Sequence, residues 1–230
     1  MHVIALASRK GGVGKSTLAM HLAHGLSFKS QVALVDTDPQ GSSMHWSLVA
    51  VDNKAAFPFR VLHYRRKSST NPKEKEVDLG TFIEREVPPD TEYLVLDCPA
   101  GAEDRTTQEA LLLSQLVLIP TTPAFLDLAA TTQTSGLAEK IADLRRMKKL
   151  HFDYYMVLNK ITGKSGGQTQ SLAEAEALGI PLLDTRLKHR SAITDGPTLG
   201  KTVFSPGLRG EARNEMTRFV AEVKRKLRGK

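Results

Sequence analysis

Residues 9–17 read Arg-Lys-Gly-Gly-Val-Gly-Lys-Ser-Thr, and no other stretch restricts the fold as tightly. The apolar run Val3-Ile4-Ala5-Leu6-Ala7 precedes it and has the pattern of a short buried strand. Leu18-Ala19-Met20-His21-Leu22-Ala23 follow, with apolar residues at helical spacing. Strand, glycine loop, Gly14-Lys15-Ser16 and helix is the context a phosphate-binding loop requires. Glycines let the backbone curl so that successive N–H groups point into one concavity, and the helix N-terminus adds its positive end. The expected cradle is Gly11, Gly12, Val13, Gly14, Lys15, Ser16 and Thr17. Lys15 would reach the β- and γ-phosphates, and the Ser16 hydroxyl would sit on Mg²⁺.

The common pattern places a glycine at position 9, where this chain has Arg9, and an extra lysine, Lys10, follows it. A lysine at an anion cradle serves anion binding. The stretch from Lys10 to Thr17 resembles the deviant Walker A motif of the ParA/MinD family. In that family the additional lysine crosses a dimer interface to the partner's nucleotide. The segment Asp36-Thr37-Asp38-Pro39-Gln40-Gly41, after the apolar run 31–35, resembles the family's second signature. The resemblance implies that Asp36 acts near Mg²⁺ and Asp38 near the attacking water. As local structure, Ser42 is also a good helix cap. Tyr93-Leu94-Val95-Leu96-Asp97 is a hydrophobic run ending in an acid, which matches the Walker B pattern. Asp97 would hold a Mg²⁺-bound water, and Cys98-Pro99-Ala100-Gly101 resembles the family's switch segment. Asn159-Lys160, at the end of the run 154–158, resembles its base-recognition position, with the Asn159 amide on adenine; a turn residue is an equal reading.

Apolar runs at 31–36, 93–97, 116–119 and 154–158 alternate with amphipathic stretches, and 59–64 reads as an edge strand. Helices are expected at 74–87, 103–113, 126–149, 168–178 and 211–227, a further strand at 182–185 and a loop at 196–200. Alternation with phosphate chemistry at strand ends specifies an α/β fold, a doubly wound, mainly parallel sheet with helices on both faces. At 230 residues, with no repeat and no long linker, one domain over 1–230 is expected. No apolar run approaches the roughly 20 residues that span a membrane, so no stable insertion is expected. Met1-His2 enters a strand directly, which reads as neither signal nor transit peptide. The one cysteine, Cys98, excludes an intramolecular disulfide and fits the cytoplasm.

The net charge of +7 is unevenly placed: residues 1–185 hold 20 Lys+Arg against 21 Asp+Glu, and residues 186–230 hold 12 against 4. A localised basic excess calls for a polyanion partner. The family resemblance makes Arg190 and Arg209 the DNA-contact candidates, and the basic excess adds Lys188, with Lys224, Arg225 and Lys226 in support. It implies an ATPase that forms a homodimer around two ATP molecules with Mg²⁺. Such a protein binds double-stranded DNA non-specifically, associates with the nucleoid, and answers to a ParB-like or other stimulating adaptor. The other readings are a MinD-like membrane-associated ATPase and a P-loop metabolic ligase. The terminal helix lacks the large exposed apolar residues a membrane anchor needs, and the additional lysine argues against the ligase.

Overall fold

The computed structural model describes residues 1–66, 77–101, 103–163 and 173–228. They form a six-stranded sheet in the order β3-β2-β4-β1-β5-β6. Its strands are β1 (His2–Ser8), β2 (Val32–Asp36), β3 (Arg60–His63), β4 (Tyr93–Ala100), β5 (Leu116–Thr121) and β6 (Asp153–Leu158). Every pairing among the described residues is parallel. The main helices are α1 (Lys15–Ser27), α2 (Ser42–Asp52), α3 (Leu79–Glu86), α4 (Arg105–Leu113), α5 (Phe125–Met147) and α6 (Glu211–Leu227). The region expected to be a helix at 168–178 is described only from residue 173, and 173–177 are helical. Likewise 74–76, assigned to the helix before Pro88, lie outside the described residues; Asp78 caps α3 by accepting from Thr81 N–H.

Both faces of the sheet are covered, which is why its strands read as continuous apolar runs. Ile4, Leu6, Leu34, Val95 and Leu118 pack on one side with α1 and α6. Their neighbours Val3, Ala5, Val35, Leu94, Leu96 and Ile119 pack on the other with α3, α4 and α5. The strand expected at 182–185 is not one. Leu182 makes a single bridge to Met156; beyond it Leu183 and Leu187 N–H still donate to Met156 O and Leu158 O, and side chains of α6 hold the backbone between and after them. Glu222 accepts from the N–H groups of Asp184 and Thr185, and Glu215 from that of Lys188. Both glutamates are buried. The expected loop at 196–200 is a helical turn, Gly196–Leu199, closed by Gly200 at φ +62°. Trp46 is buried beneath it.

Two histidines of α1 tie it to the loop before α6. His21 donates from Nδ1 to Thr17 O (2.8 Å) and accepts at Nε2 from Val203 N–H (3.2 Å). His24 Nδ1 meets Thr202 Oγ1 at 2.7 Å. Burial lowers both pKa values from 6.5 to about 4. The folded state thus binds fewer protons than the unfolded chain between about pH 4 and 6.5, and the stability these groups confer is lost as pH falls through that window. Asp97, raised by burial to about 7, acts in the opposite sense, so the test is a difference. The melting-temperature advantage of the wild-type chain over His21→Gln should shrink steadily from pH 7 to pH 5; a pH-independent advantage would contradict a neutral buried His21.

Candidate active site

The carboxyl ends of β1, β2 and β4 bring the sequence candidates together. The loop after β1 turns through Gly12 (φ +77°) and Gly14 (φ +99°), and Gly14 caps α1. Position 14 admits glycine alone for a second reason: a Cβ there would stand 2.3 Å from Asn159 Nδ2. Lys15 is buried, and its Nζ donates to Lys10 O across the loop (3.2 Å). Burial lowers the Lys15 pKa, and Asp97, with Cys98 and Asp38, opposes that shift.

Asp36 and Asp97 are register partners on adjacent strands, and both are fully buried. Asp36 spends its carboxylate on backbone, accepting from Asp38 N–H (3.1 Å) and Met44 N–H (3.0 Å). It thereby fixes the loop between β2 and α2. Ser42 is the first helical residue, and the cap position belongs to Gly41 at φ +65°. Ser43, unmarked in the sequence, donates to Asp97 Oδ2 (2.7 Å). Asp97 Oδ1 is buried without a hydrogen-bond partner. Burial raises the Asp97 pKa to about 7, Asp36 adds to it, and the Ser16 and Ser43 hydroxyls and Lys15 pull it back. Burial likewise raises Asp36, against its backbone donors and His63. Two buried carboxylates with elevated pKa values, one oxygen unsatisfied and a serine hydroxyl beside it suit a hard cation with oxygen ligands. The residues present therefore fit Mg²⁺.

Asp38 lies at the rim, half-buried, with its carboxylate accepting from Gln40 N–H (2.9 Å). Its carbonyl accepts from Gly41 N–H (2.9 Å) and meets His63 Nε2 at 3.0 Å. Lys10 projects from the loop with its side chain 46% exposed, and its Nζ pairs with Asp127 Oδ1 at 3.3 Å on the first turn of α5. Asp127 also accepts from Thr122 Oγ1 (2.6 Å). Nothing in sequence spacing links residues 10 and 127.

Asn159 is buried under the loop, its Nδ2 donating to Val13 O (2.8 Å) while Lys160 Nζ donates to Gly12 O (2.6 Å). The pair braces the cradle from the end of β6, one amide N–H of Asn159 being spent on the loop. Cys98 is buried, and burial pushes its thiol pKa up, as for a packing residue.

The basic C-terminal region is also more committed than its composition implies. Arg190 bonds Glu215 through Nε and Nη2 and Glu211 through Nη2 (2.7 Å). Glu215 raises its pKa further. Arg190 thus clamps the 184–190 segment to α6. Lys224 and Lys226 lie over the rings of Tyr93 (5.5 Å) and Tyr155 (4.6 Å), and Arg225 pairs with Asp184 (3.1 Å). Lys188 and Arg209 are exposed.

A family model described as CobQ/CobB/MinD/ParA nucleotide binding domain matches residues 4–203. The chain is 30% identical over 221 residues to maintenance of carboxysome distribution protein A of Halothiobacillus neapolitanus, covering 96% of this chain and 95% of that one. Among solved structures, a Borrelia burgdorferi B31 protein assigned to plasmid partition, bound to AMPPNP, superposes with a TM-score of 0.74. The identity is 19%, over 98% of this chain and 99% of that one. The Aquifex aeolicus cell division protein MinD gives 0.66 at 17% identity, over 100% and 98%. No helix among the described residues is long and apolar enough to cross a membrane.

Proposed function

The chain belongs to the CobQ/CobB/MinD/ParA nucleotide-binding family, and from that membership we propose that it is a ParA-type positioning ATPase. In this reading it binds ATP, forms a sandwich homodimer, holds double-stranded DNA without sequence preference and distributes a cargo until hydrolysis releases it. Similarity to a carboxysome distribution protein over nearly the full length of both chains supports a large protein assembly as the cargo class. A stimulating adaptor protein completes the cycle. Residues 1–230 act as one ATPase domain located in the cytoplasm, on the nucleoid.

Each residue has a role in that cycle. Lys15 and the N–H groups of 11–17 hold the phosphates. Ser16, with Asp36 and Asp97 behind it, would hold Mg²⁺, which supplies charge neutralisation on the phosphates during transfer. Asp38 orients the attacking water, and its half-exposed position leaves the carboxylate free to turn from Gln40 N–H to the water. Asn159 and Lys160 keep the loop's curvature. Phosphoryl transfer leaves a protein mainly positioning and electrostatics to supply.

The observation that carries the reading is Lys10. Its side chain extends away from its own cradle onto Asp127, half-exposed, where a second subunit could receive it. In the ATP dimer, Lys10 exchanges Asp127 for the partner's nucleotide. An exposed pair of this kind contributes about 0.2–1 kcal/mol. Two such pairs break per dimer, so Asp127→Asn should tighten Mg-ATP-dependent dimerisation by roughly 2–30-fold. Lys10→Ala should still bind ATP but dimerise and hydrolyse poorly. Sedimentation velocity with Mg-ATP and with ADP reads both; a wild-type chain that stays monomeric in saturating Mg-ATP would sink the proposal.

A further inference from the structure

We infer that His63 is a positioning residue for hydrolysis, acting through the backbone of Asp38. This rests on the role given to Asp38 above. Thr37 is tied to β4 through its N–H and hydroxyl on Asp97 O, but beyond it the loop is held by itself: Asp36 Oδ1 takes Asp38 N–H, Asp38 Oδ1 takes Gln40 N–H, and Asp38 O takes Gly41 N–H. All three bonds belong to the turn and would survive a rigid rotation of it. Among the described residues, the hydrogen bond to Asp38 from outside that loop is made by His63, whose Nε2 lies 3.0 Å from Asp38 O. An N–H at Nε2 donates to that carbonyl.

The ring is itself well placed to set an angle. His63 is the last residue of β3, in register with Asp36 on β2, and the next residue, Tyr64, donates its N–H to Asp36 O (2.9 Å). The imidazole fills the space over Gly41. A Cβ at that position would stand 3.0 Å from His63 Cε1, and the φ of +65° there already favours glycine. The turn is thus fastened to the sheet at Asp36 by the strand ladder, at Thr37 by its two bonds to Asp97 O, and at Asp38 by the imidazole. Position 38 must hold a water in line with a bound phosphate, and a displacement of about 1 Å at such a point can cost ~10²-fold in rate. Edge strand β3 carries one residue whose side chain reaches this turn by a hydrogen bond, and it stands beside the carboxylate that needs orienting.

The test uses the full chain with His63→Leu and His63→Gln, each in the wild-type and Asp38→Ala backgrounds. Glutamine can place an amide N–H near the Nε2 position; leucine cannot. Single-turnover phosphate release, steady-state kcat and KM, and affinity for a fluorescent ATP analogue are read alongside melting temperature. His63→Leu should lower kcat by about tenfold or more, with KM and nucleotide affinity within about twofold. His63→Gln should regain most of the rate. In the Asp38→Ala background, His63→Leu should cost nothing further. Equal losses in Leu and Gln, a loss expressed in nucleotide affinity, or the same loss with and without Asp38 would overturn the inference. Asp38→Ala measured alone reports on the parent reading: wild-type turnover there removes Asp38 from the mechanism, whereas slow turnover with independent His63 effects removes only His63.

Discussion

Replacing Asp38 with alanine should leave ATP binding and dimerisation intact while reducing hydrolysis by about 10²-fold or more, the usual contribution of a positioned side chain that orients or activates a water. The structure makes the substitution unusually clean. Asp38 is half-buried at the rim, and among the described residues its carboxylate has one hydrogen bond, from Gln40 N–H within its own turn. The neighbouring acids could not be removed so cheaply. Asp36 holds two backbone N–H groups, and Asp97 receives the Ser43 hydroxyl, so their loss would disturb the loop and α2 along with any metal. Slow turnover with retained binding would appear as an ATP dimer that persists for many wild-type turnover times in size-exclusion chromatography. Wild-type phosphate release from Asp38→Ala would shift the water-orienting role elsewhere in the loop.

The site was legible in the sequence where its chemistry is local. Glycines at 12 and 14, Lys15, and acids ending two apolar runs each mark themselves by position along the chain. The strands were legible for a related reason: burial on both faces makes them short uninterrupted apolar runs. What escaped are contacts between distant residues. Ser43 reaches Asp97 across 54 positions, His63 reaches Asp38 across 25, and Lys10 finds Asp127 on another helix. Sequence pattern gives a strand at 182–185 leading into the basic run 186–190. The N–H groups of Asp184, Thr185 and Lys188 in fact go to Glu222 and Glu215, buried acids of α6 more than 25 positions away. Asn159 was visible as a residue that ends a strand, but the partner of its amide, Val13 O, lies 146 positions away.

Charge counting fails in the same way, and the C-terminal cations expose the difference between a charge that folds the chain and one that is left for a partner. Arg190→Glu would set a third carboxylate against Glu211 and the buried Glu215, whose pKa is lowered because the Arg190 bonds and the Lys188 N–H outweigh burial. Leaving the buried Glu215 carboxylate without its partner costs about 1–3 kcal/mol, which for a chain of this size is a fall of roughly 5 °C in melting temperature. Loss of DNA binding in that variant would therefore report unfolding as much as a lost contact. Lys188→Glu and Arg209→Glu change exposed side chains and should leave the melting temperature within about 2 °C. On the proposed reading they should nevertheless abolish DNA binding by the ATP dimer, because each substitution appears twice on the two-fold assembly and phosphate contacts add. Wild-type affinity should fall steeply with salt, with a log–log slope of about −0.9 per phosphate neutralised, and each Lys188→Ala dimer should lose about two contacts' worth of slope. Duplexes of unrelated sequence should bind alike, since phosphate contacts carry no sequence information. Biolayer titrations at several salt concentrations, with Mg-ATP and with ADP, read all of this. If Lys188→Glu and Arg209→Glu bind like wild type while the Arg190 variant alone fails without losing stability, the clamp is the contact and its glutamates must release it on binding DNA.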